Sequence, residues 1–529
     1  MPHVLATLLS ATLHGIAGRV VRVEVDVAPG LPGFTIVGLP DAALSEARER
    51  VRGALRNAGF HHPPRRITVN LAPAELRKAG ASLDLAIALG ILLGSEQLRA
   101  GPDRIGMIGE LGLGGEVRRV PGILPMCLAL AARGVRRVAV PAEGYAEARL
   151  APGLDPVPVA SVAEAAEVMR SPRSRRAVPV ALPRAGDVAD VQGDGAPGEP
   201  VSAVADDATA VDLADVRGQA VARRALEIAL AGGHALLLIG PPGVGKTLLA
   251  RTIPPLLPDL DDRAALAATV VASAASPEPV EALVRRPPVR MPHHTTSYAG
   301  MVGGGPRLSP GEVTLADQGV LFCDELPEFG RDMLEALRQP LEDGYVSVVR
   351  VGRAATFLAR FTFIAAMNPC PCGQDGAADR VCACPPHVPE RYRRRVSGPL
   401  RDRIDLWVRM DRVAPGILLG GPAPEASAVV AGRIAAARER RQARAGDIGN
   451  VRLHGRILRA ACAMDAVAQA WAIILAEREG LSARGMDRLL RVARTIADLA
   501  GDAAVGPVHL DEAARFRAPV DRMTLQEAG

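Results

Sequence analysis

The sequence predicts an α/β protein in three parts: an α+β head, an α/β core built around one glycine-rich loop, and a closing set of helices. Three observations carry this. An apolar run, Ala235-Leu236-Leu237-Leu238-Ile239, leads through Gly240-Pro241-Pro242-Gly243-Val244-Gly245-Lys246-Thr247 into the helical stretch Leu248-Leu249-Ala250-Arg251. Period-two strands and helical segments share residues 1–168, and from residue 426 onwards the chain reads as helices.

In the head, Val20-Val21-Arg22-Val23-Glu24-Val25-Asp26-Val27 alternates with period two, as a half-buried strand does. Residues 42–58 form an amphipathic helix stopped at Gly59, residues 66–71 a second strand, and residues 84–93 a buried helix. Gly112-Leu113-Gly114-Gly115 and Val138-Ala139-Val140-Pro141 punctuate further units. Here Lys78-Ala79-Gly80-Ala81-Ser82 and the run from Gly109 to Val117 resemble the proteolytic domain of Lon-type proteases, with Ser82 on the nucleophile. A serine hydroxyl needs a base. The resemblance puts the catalytic lysine at Leu124, and no lysine lies between Lys78 and Lys246. Residues 1–168 are therefore expected to be a Lon-like domain without peptidase activity, Ser82 being structural.

Residues 171–211 lose apolar periodicity and turn rich in Pro, Gly, Ala, Asp and Ser, which predicts a linker. The core follows at 212–425. Its glycines let backbone N–H groups curl round an anion at a helix start, so residues 240–247 read as a phosphate-binding loop for a nucleoside triphosphate. Lys246 would reach the β- and γ-phosphates and Thr247 would ligate Mg²⁺. All but two of the 63 basic residues are arginine, and the two lysines are Lys78 and Lys246. A compact point charge is what a phosphate cradle accommodates.

Residues 319–323 form an apolar strand ending in Asp324-Glu325, expected to hold Mg²⁺ through Asp324 and to orient the attacking water through Glu325. The strand at 361–367 ends in Asn368, a candidate γ-phosphate sensor; an Asn before Pro369 also suits a plain turn. Residues 212–219 resemble the adenine-side entry of AAA+ ATPases, with Val216 and Arg217 as base neighbours. The segment Ser397-Gly398-Pro399-Leu400-Arg401-Asp402-Arg403 resembles their arginine-finger box, with Arg403 as a finger usually supplied to a neighbouring subunit. Upstream, Arg391, Arg393, Arg394 and Arg395 suit either a solvated helix face or a phosphate contact.

Met291-Pro292-His293-His294-Thr295-Thr296-Ser297, Gly303-Gly304-Gly305, Pro310-Gly311-Glu312, residues 319–329 and Met367-Asn368-Pro369-Cys370-Pro371-Cys372-Gly373 together resemble the magnesium-chelatase-like AAA+ proteins of the YifB/ComM type. The resemblance runs nearly end to end. It implies a hexameric ring ATPase using ATP and Mg²⁺, and DNA translocation of the branch-migration kind. The insertion at 291–315 is expected to have a mobile glycine tip. Residues 345–357 read as a β-hairpin with Arg350 and Arg353 near its turn, candidate contacts to DNA phosphates. His293 and His294 are expected to pack or hydrogen-bond locally.

Four cysteines, Cys370, Cys372, Cys382 and Cys384, form two Cys-x-Cys pairs able to close a tetrahedral zinc site; reduced structural thiols are the alternative. Cys127, Cys323 and Cys462 read as core. In the closing segment, 426–529, helices are expected at 426–444, 459–479, 486–500 and 508–516. Arg484, in a Ser-x-Arg helix start, resembles the second sensor of AAA+ lids, with Arg488 in reserve.

Composition bounds the function. A chain of 529 residues holds two to four domains. Its 48% hydrophobic and 23% charged residues are ordinary for a soluble protein. The start lacks a secretory pattern and the apolar runs are too short to span a bilayer, so a cytoplasmic protein is expected. A net charge of +5 permits nucleic acid, and with 3% aromatics the grip would be arginine on phosphate rather than base stacking. The expected function is an ATP-driven DNA motor; an ATPase subunit of a metal-insertion or protein-remodelling complex is the alternative.

Overall fold

The computed structural model describes residues 5–76, 78, 80–101, 104–170, 211–305, 308–350, 353–376, 380–446 and 449–517. All of the expected linker except Val211 lies outside them, as do residues 518–529. No helix among the described residues is long and apolar enough to cross a membrane.

The head is a seven-stranded mixed sheet. Its strands are β1 (Leu5–His14), β2 (Ala17–Ala28), β3 (Gly33–Val37), β4 (Arg66–Ala72), β5 (Ile105–Met107), β6 (Arg137–Pro141) and β7 (Asp155–Val159), in the order β3-β4-β2-β1-β5-β6-β7. Alternation on β2 sends Val21, Val23 and Val25 inward, all fully buried. The amphipathic helix expected at 42–58 is a single turn, Ala42–Ser45, followed by helix α1 (Ala47–Asn57), which buries Val51, Ala54 and Leu55. Helix α2 (Asp84–Gly94) is buried nearly all round, as its unbroken apolar run requires.

Ser82 Oγ donates to the Ala11 carbonyl at 2.9 Å, in the core, and Leu124 is fully buried. Lys78, also buried, turns its Nζ to the carbonyls of Gly38 and Pro73.

The core has a five-stranded parallel sheet of β8 (Leu236–Ile239), β9 (Val289–Arg290), β10 (Val320–Cys323), β13 (Thr362–Met367) and β14 (Leu406–Arg409). The order is β9-β10-β13-β8-β14. Between β10 and β13 the chain makes the hairpin β11 (Tyr345–Arg350) and β12 (Arg353–Leu358). Period-two alternation divides the sheet's apolar side chains between two layers. Leu236, Leu238, Phe322 and Ile364 face the closing helices, while Leu237, Leu321 and Phe363 face a layer that includes Val346 and Phe357 of the hairpin.

Gly303 and Gly304 are buried, pairing with Ser309–Pro310 in a small antiparallel ribbon. Gly303 has φ +99°, and a Cβ there would collide with the Ser309 carbonyl. These two glycines therefore serve a close backbone approach, Gly305 meets nothing within 4 Å, and the rest of the expected tip, 306–307, lies outside the described residues. The base of the insertion is closed by a bidentate Arg290–Glu312 pair (2.7 and 2.8 Å).

The closing segment holds α3 (Ser427–Ala445), α4 (Gly455–Cys462), α5 (Ala466–Arg478), α6 (Ala483–Ala500) and α7 (Pro507–Arg515). The single helix expected at 459–479 is broken. Ala463 takes a left-handed φ of +47°, and Asp465 caps α5 by accepting from Ala468 N at 2.7 Å.

Head and core share a polar seam. Buried Glu147 accepts from Arg119 (3.0 Å), from Leu124 N (3.1 Å) and from Ser273 Oγ (2.5 Å) of the core helix Asp262–Ala275. Arg119 also donates to Glu278 O at 2.9 Å. At a second contact, the β1–β2 turn of the head meets the hairpin. His14 Nε2 lies 2.9 Å from the Ala354 carbonyl, and a Cβ on Gly15 would come within 2.9 Å of the Phe357 ring.

Candidate active site

Strand β8 ends directly in the glycine-rich loop. Gly240 N donates to Met367 O at 3.2 Å, tying the loop to the end of β13. Gly245 has φ +96°, a conformation only glycine adopts cheaply, and it starts the helix Lys246–Arg251. Lys246 is buried, and its Nζ donates to Gly240 O (2.6 Å), Pro241 O (3.0 Å) and Asn368 Oδ1 (3.0 Å). Burial pulls the pKa of this ammonium down, and the nearby carboxylates of Asp324 and Glu325 push it back up.

Thr247 Oγ1 donates to Asp324 Oδ2 at 2.6 Å, and Asp324 Oδ1 accepts from Glu325 N at 2.9 Å. A hydroxyl and a carboxylate this close suit a hard cation shared with phosphate oxygens. Glu325 has a left-handed φ of +51° and a half-exposed side chain, with Oε2 3.6 Å from His294 Nδ1. His293 hydrogen-bonds Thr295 Oγ1 at 2.8 Å and stacks on His294 at 4.1 Å, as expected of a local pair. The proximity of His294 to Glu325 was not read from the sequence. Its signal is positional: His294 follows β9, Glu325 follows β10, and the two strands are neighbours. Gln219 is a second residue missed. Its amide donates to Asp411 O (2.7 Å) and Val244 O (3.3 Å), holding the loop from beside.

Lys246, Thr247, Asp324, Glu325 and Asn368 thus meet at the carboxyl ends of β8, β10 and β13, where ligands bind in open parallel sheets. Arg403 does not join them. It precedes β14, whose Leu406 pairs with Leu236, so it lies at the amino end of the sheet. One four-residue strand, about 13 Å, separates that end from the loop. Arg403 donates to Pro399 O at 2.7 Å and pairs with Glu342. Arg488 donates to Asp402 O at 2.8 Å, and exposed Arg484 lies one turn earlier on the same helix. Arg488 therefore neighbours the Arg403 segment. Val216, the expected base neighbour, is buried in the core, and Arg217 bonds the Gly421 carbonyl.

Register pairs Arg350 with Arg353 at the end of the hairpin, next to its turn as expected. Of the basic cluster, Arg393 pairs with Asp375 (2.5 Å), Arg395 with Glu328 (2.9 Å) and Arg394 with Glu390; Arg391 is exposed.

The four thiols expected as a zinc site converge, all Sγ atoms lying within 4.8 Å of one another. Cys370 and Cys372 are 3.3 Å apart, and Cys382 lies 3.7 and 3.5 Å from them. Thiolates on a tetrahedral zinc stand about 3.8 Å apart, so the donor set fits. Backbone amides of Gln374 and Ala383 hold the Cys372 thiol down to about 6. Cys127, Cys323 and Cys462 are buried, their thiols pushed up by burial.

Three sequence profiles match the chain. "Magnesium chelatase, subunit ChlI" covers residues 212–417, "Subunit ChlI of Mg-chelatase" covers 23–144, and "Magnesium chelatase, subunit ChlI C-terminal" covers 424–517. The chain is 40% identical to the YifB protein of Escherichia coli strain K12 over 97% of this chain and 96% of that one. It is 39% identical to YifB of Salmonella typhimurium over 98% of both chains. To the competence protein ComM of Haemophilus influenzae it is 38% identical, again over 98% of both.

Proposed function

The chain belongs to the magnesium-chelatase-like YifB/ComM family, and from that premise we propose that it is an ATP-driven DNA motor. In this reading it is a ring helicase, a hexamer, that promotes branch migration during recombination of incoming DNA. The observation that carries the proposal is the division of the site. Lys246, Thr247, Asp324, Glu325 and Asn368 converge at one end of the sheet, and Arg403, with Arg488 nearby, lies at the other. A site lacking its arginines in one chain and a chain offering them elsewhere are complementary halves of a contact between two copies.

The roles follow. Loop residues 240–247 cradle the phosphates through backbone N–H groups, and Lys246 neutralises the β- and γ-oxygens. Thr247 and Asp324 would hold Mg²⁺, which supplies charge neutralisation between the phosphates. Glu325 takes the proton of the attacking water, and Asn368, already touching Lys246, reads the γ-phosphate. Arg403 of a neighbouring copy stabilises charge on the transferred phosphoryl group once it leaves Glu342, and Arg484 assists from the same neighbour. Arg350 and Arg353, at the hairpin end, contact DNA phosphates. A zinc ion at Cys370, Cys372, Cys382 and Cys384 is the structural metal of this reading.

The link to DNA draws on the ComM relative, whose name marks a competence protein. A second reading, an ATPase subunit of a metal-insertion or protein-remodelling complex, draws on the three chelatase profiles. ATP turnover with and without forked DNA separates them. Stimulation by DNA with strand displacement supports the motor, and turnover indifferent to DNA supports the second reading.

A further inference from the structure

The four-thiol loop is built onto the nucleotide site. Cys370 and Cys372 follow Asn368 by two and four residues, with Pro369 and Pro371 stiffening the path between. The turn that closes the first pair, Gly373 N to Cys370 O at 2.9 Å, rests on the phosphate loop itself. Gly373 has φ +78°, and a Cβ there would overlap Pro242 Cδ. Beyond this contact the loop has almost no core. Between Cys372 and Pro389, Gly373 is the only buried residue among the described ones, and Val381 is 93% exposed. A segment without buried apolar side chains must get its cohesion from elsewhere, and a closed metal site provides it outright. Two further ties among the described residues, Arg393 to Asp375 at 2.5 Å and Arg409 to Gly376 O, fasten it to helix His387–Arg393 and to the end of β14.

We propose that zinc bound by Cys370, Cys372, Cys382 and Cys384 is a clasp that presses the Pro369–Gly373 turn against Pro242 and thereby sets Asn368 opposite Lys246. The thiolates touch no substrate; they position the residue that reads the γ-phosphate. The inference rests on the zinc and ATP assignments proposed above and adds a task to the metal. Removing the clasp leaves the Lys246 cradle in place but frees Asn368, so diphosphate binding persists while turnover falls.

The test uses the full chain. Zinc released on thiol modification is expected at one per chain, and cobalt exchanged into the site should show the charge-transfer bands of four thiolates. Cys382→Ser/Cys384→Ser should lose both signals, keep ADP affinity within about threefold, and lower kcat at least tenfold, the scale of losses around metal sites. In an Asn368→Ala background the same pair of changes should lower kcat no further, because both act through one residue. Gly373→Ala keeps every ligand and provides the check if the double serine variant fails to fold. It should retain zinc and still slow turnover. An active wild-type chain without zinc overturns the clasp and leaves the ATP reading standing. Wild-type kcat in the zinc-free chain, or in Gly373→Ala, overturns the positioning role. A zinc-loaded wild-type chain that hydrolyses no ATP overturns the nucleotide reading instead.

Discussion

Lys246 Nζ donates to Asn368 Oδ1 at 3.0 Å, joining the glycine-rich loop at the end of β8 to the end of β13, although 122 residues separate the two in sequence. Every other acceptor of that ammonium is a loop carbonyl, Gly240 or Pro241. The cation is thus held without a carboxylate and is free to exchange its partners for phosphate oxygens. Lys246→Ala should abolish measurable turnover, a loss of at least about a hundredfold, by the scale of losing one charge-stabilising donor. Nucleotide binding by fluorescence titration checks it, with circular dichroism showing that the fold persists.

Glu325→Gln should bind ATP with little change and hydrolyse it about 10² to 10⁴ times more slowly, the range for a lost general base. Single-turnover kinetics separates this from Lys246→Ala, in which binding itself fails. The left-handed backbone at Glu325, φ +51°, is strain held at the position of the proposed general base.

The proposed sharing of the site between two copies makes a complementation prediction. Lys246→Ala and Arg403→Ala proteins, each inactive alone, should regain partial turnover when mixed, because a mixed contact pairs an intact cradle with an intact finger. Steady-state ATPase against mixing ratio reads this out, and activity absent at every ratio would rule out a shared site.

Arg119 donates to Glu147 at 3.0 Å, both side chains buried, and Glu147 receives Ser273 of the core. Arg119→Ala leaves the carboxylate without its ion partner and should cost about 3–5 kcal/mol. Chemical denaturation measures the loss. Limited proteolysis should show the head separating from the helix Asp262–Ala275.

Ser82→Ala removes a buried donor to the Ala11 carbonyl and should cost about 1–3 kcal/mol. The wild-type chain should hydrolyse no casein, and processive cleavage lost on Ser82→Ala would reverse this reading of the head.

What could be read from the sequence was local. The glycine-rich loop, the acid pair after β10 and the Asn after β13 each combine a buried strand with a polar tip, so a few adjacent residues carry the signal. The hairpin at 345–358 and the buried helix Asp84–Gly94 were legible for the same reason. Misreadings came where tertiary packing decides. Nothing but alanine marks the left-handed break at Ala463, two residues before Asp465 caps the next helix. Gly303 and Gly304 suggested freedom, yet they are buried where two backbones pass. The meeting of His14 with Ala354 spans 340 residues and leaves no pattern in either segment.

In the proposed function, hydrolysis at the Lys246 site moves DNA. The most direct measurement of this is ATP-dependent migration of a three-strand junction by the purified full chain, alongside Lys246→Ala. The account predicts branch movement that requires ATP hydrolysis and vanishes in the variant. Full ATP turnover with the junction left where it started would contradict it.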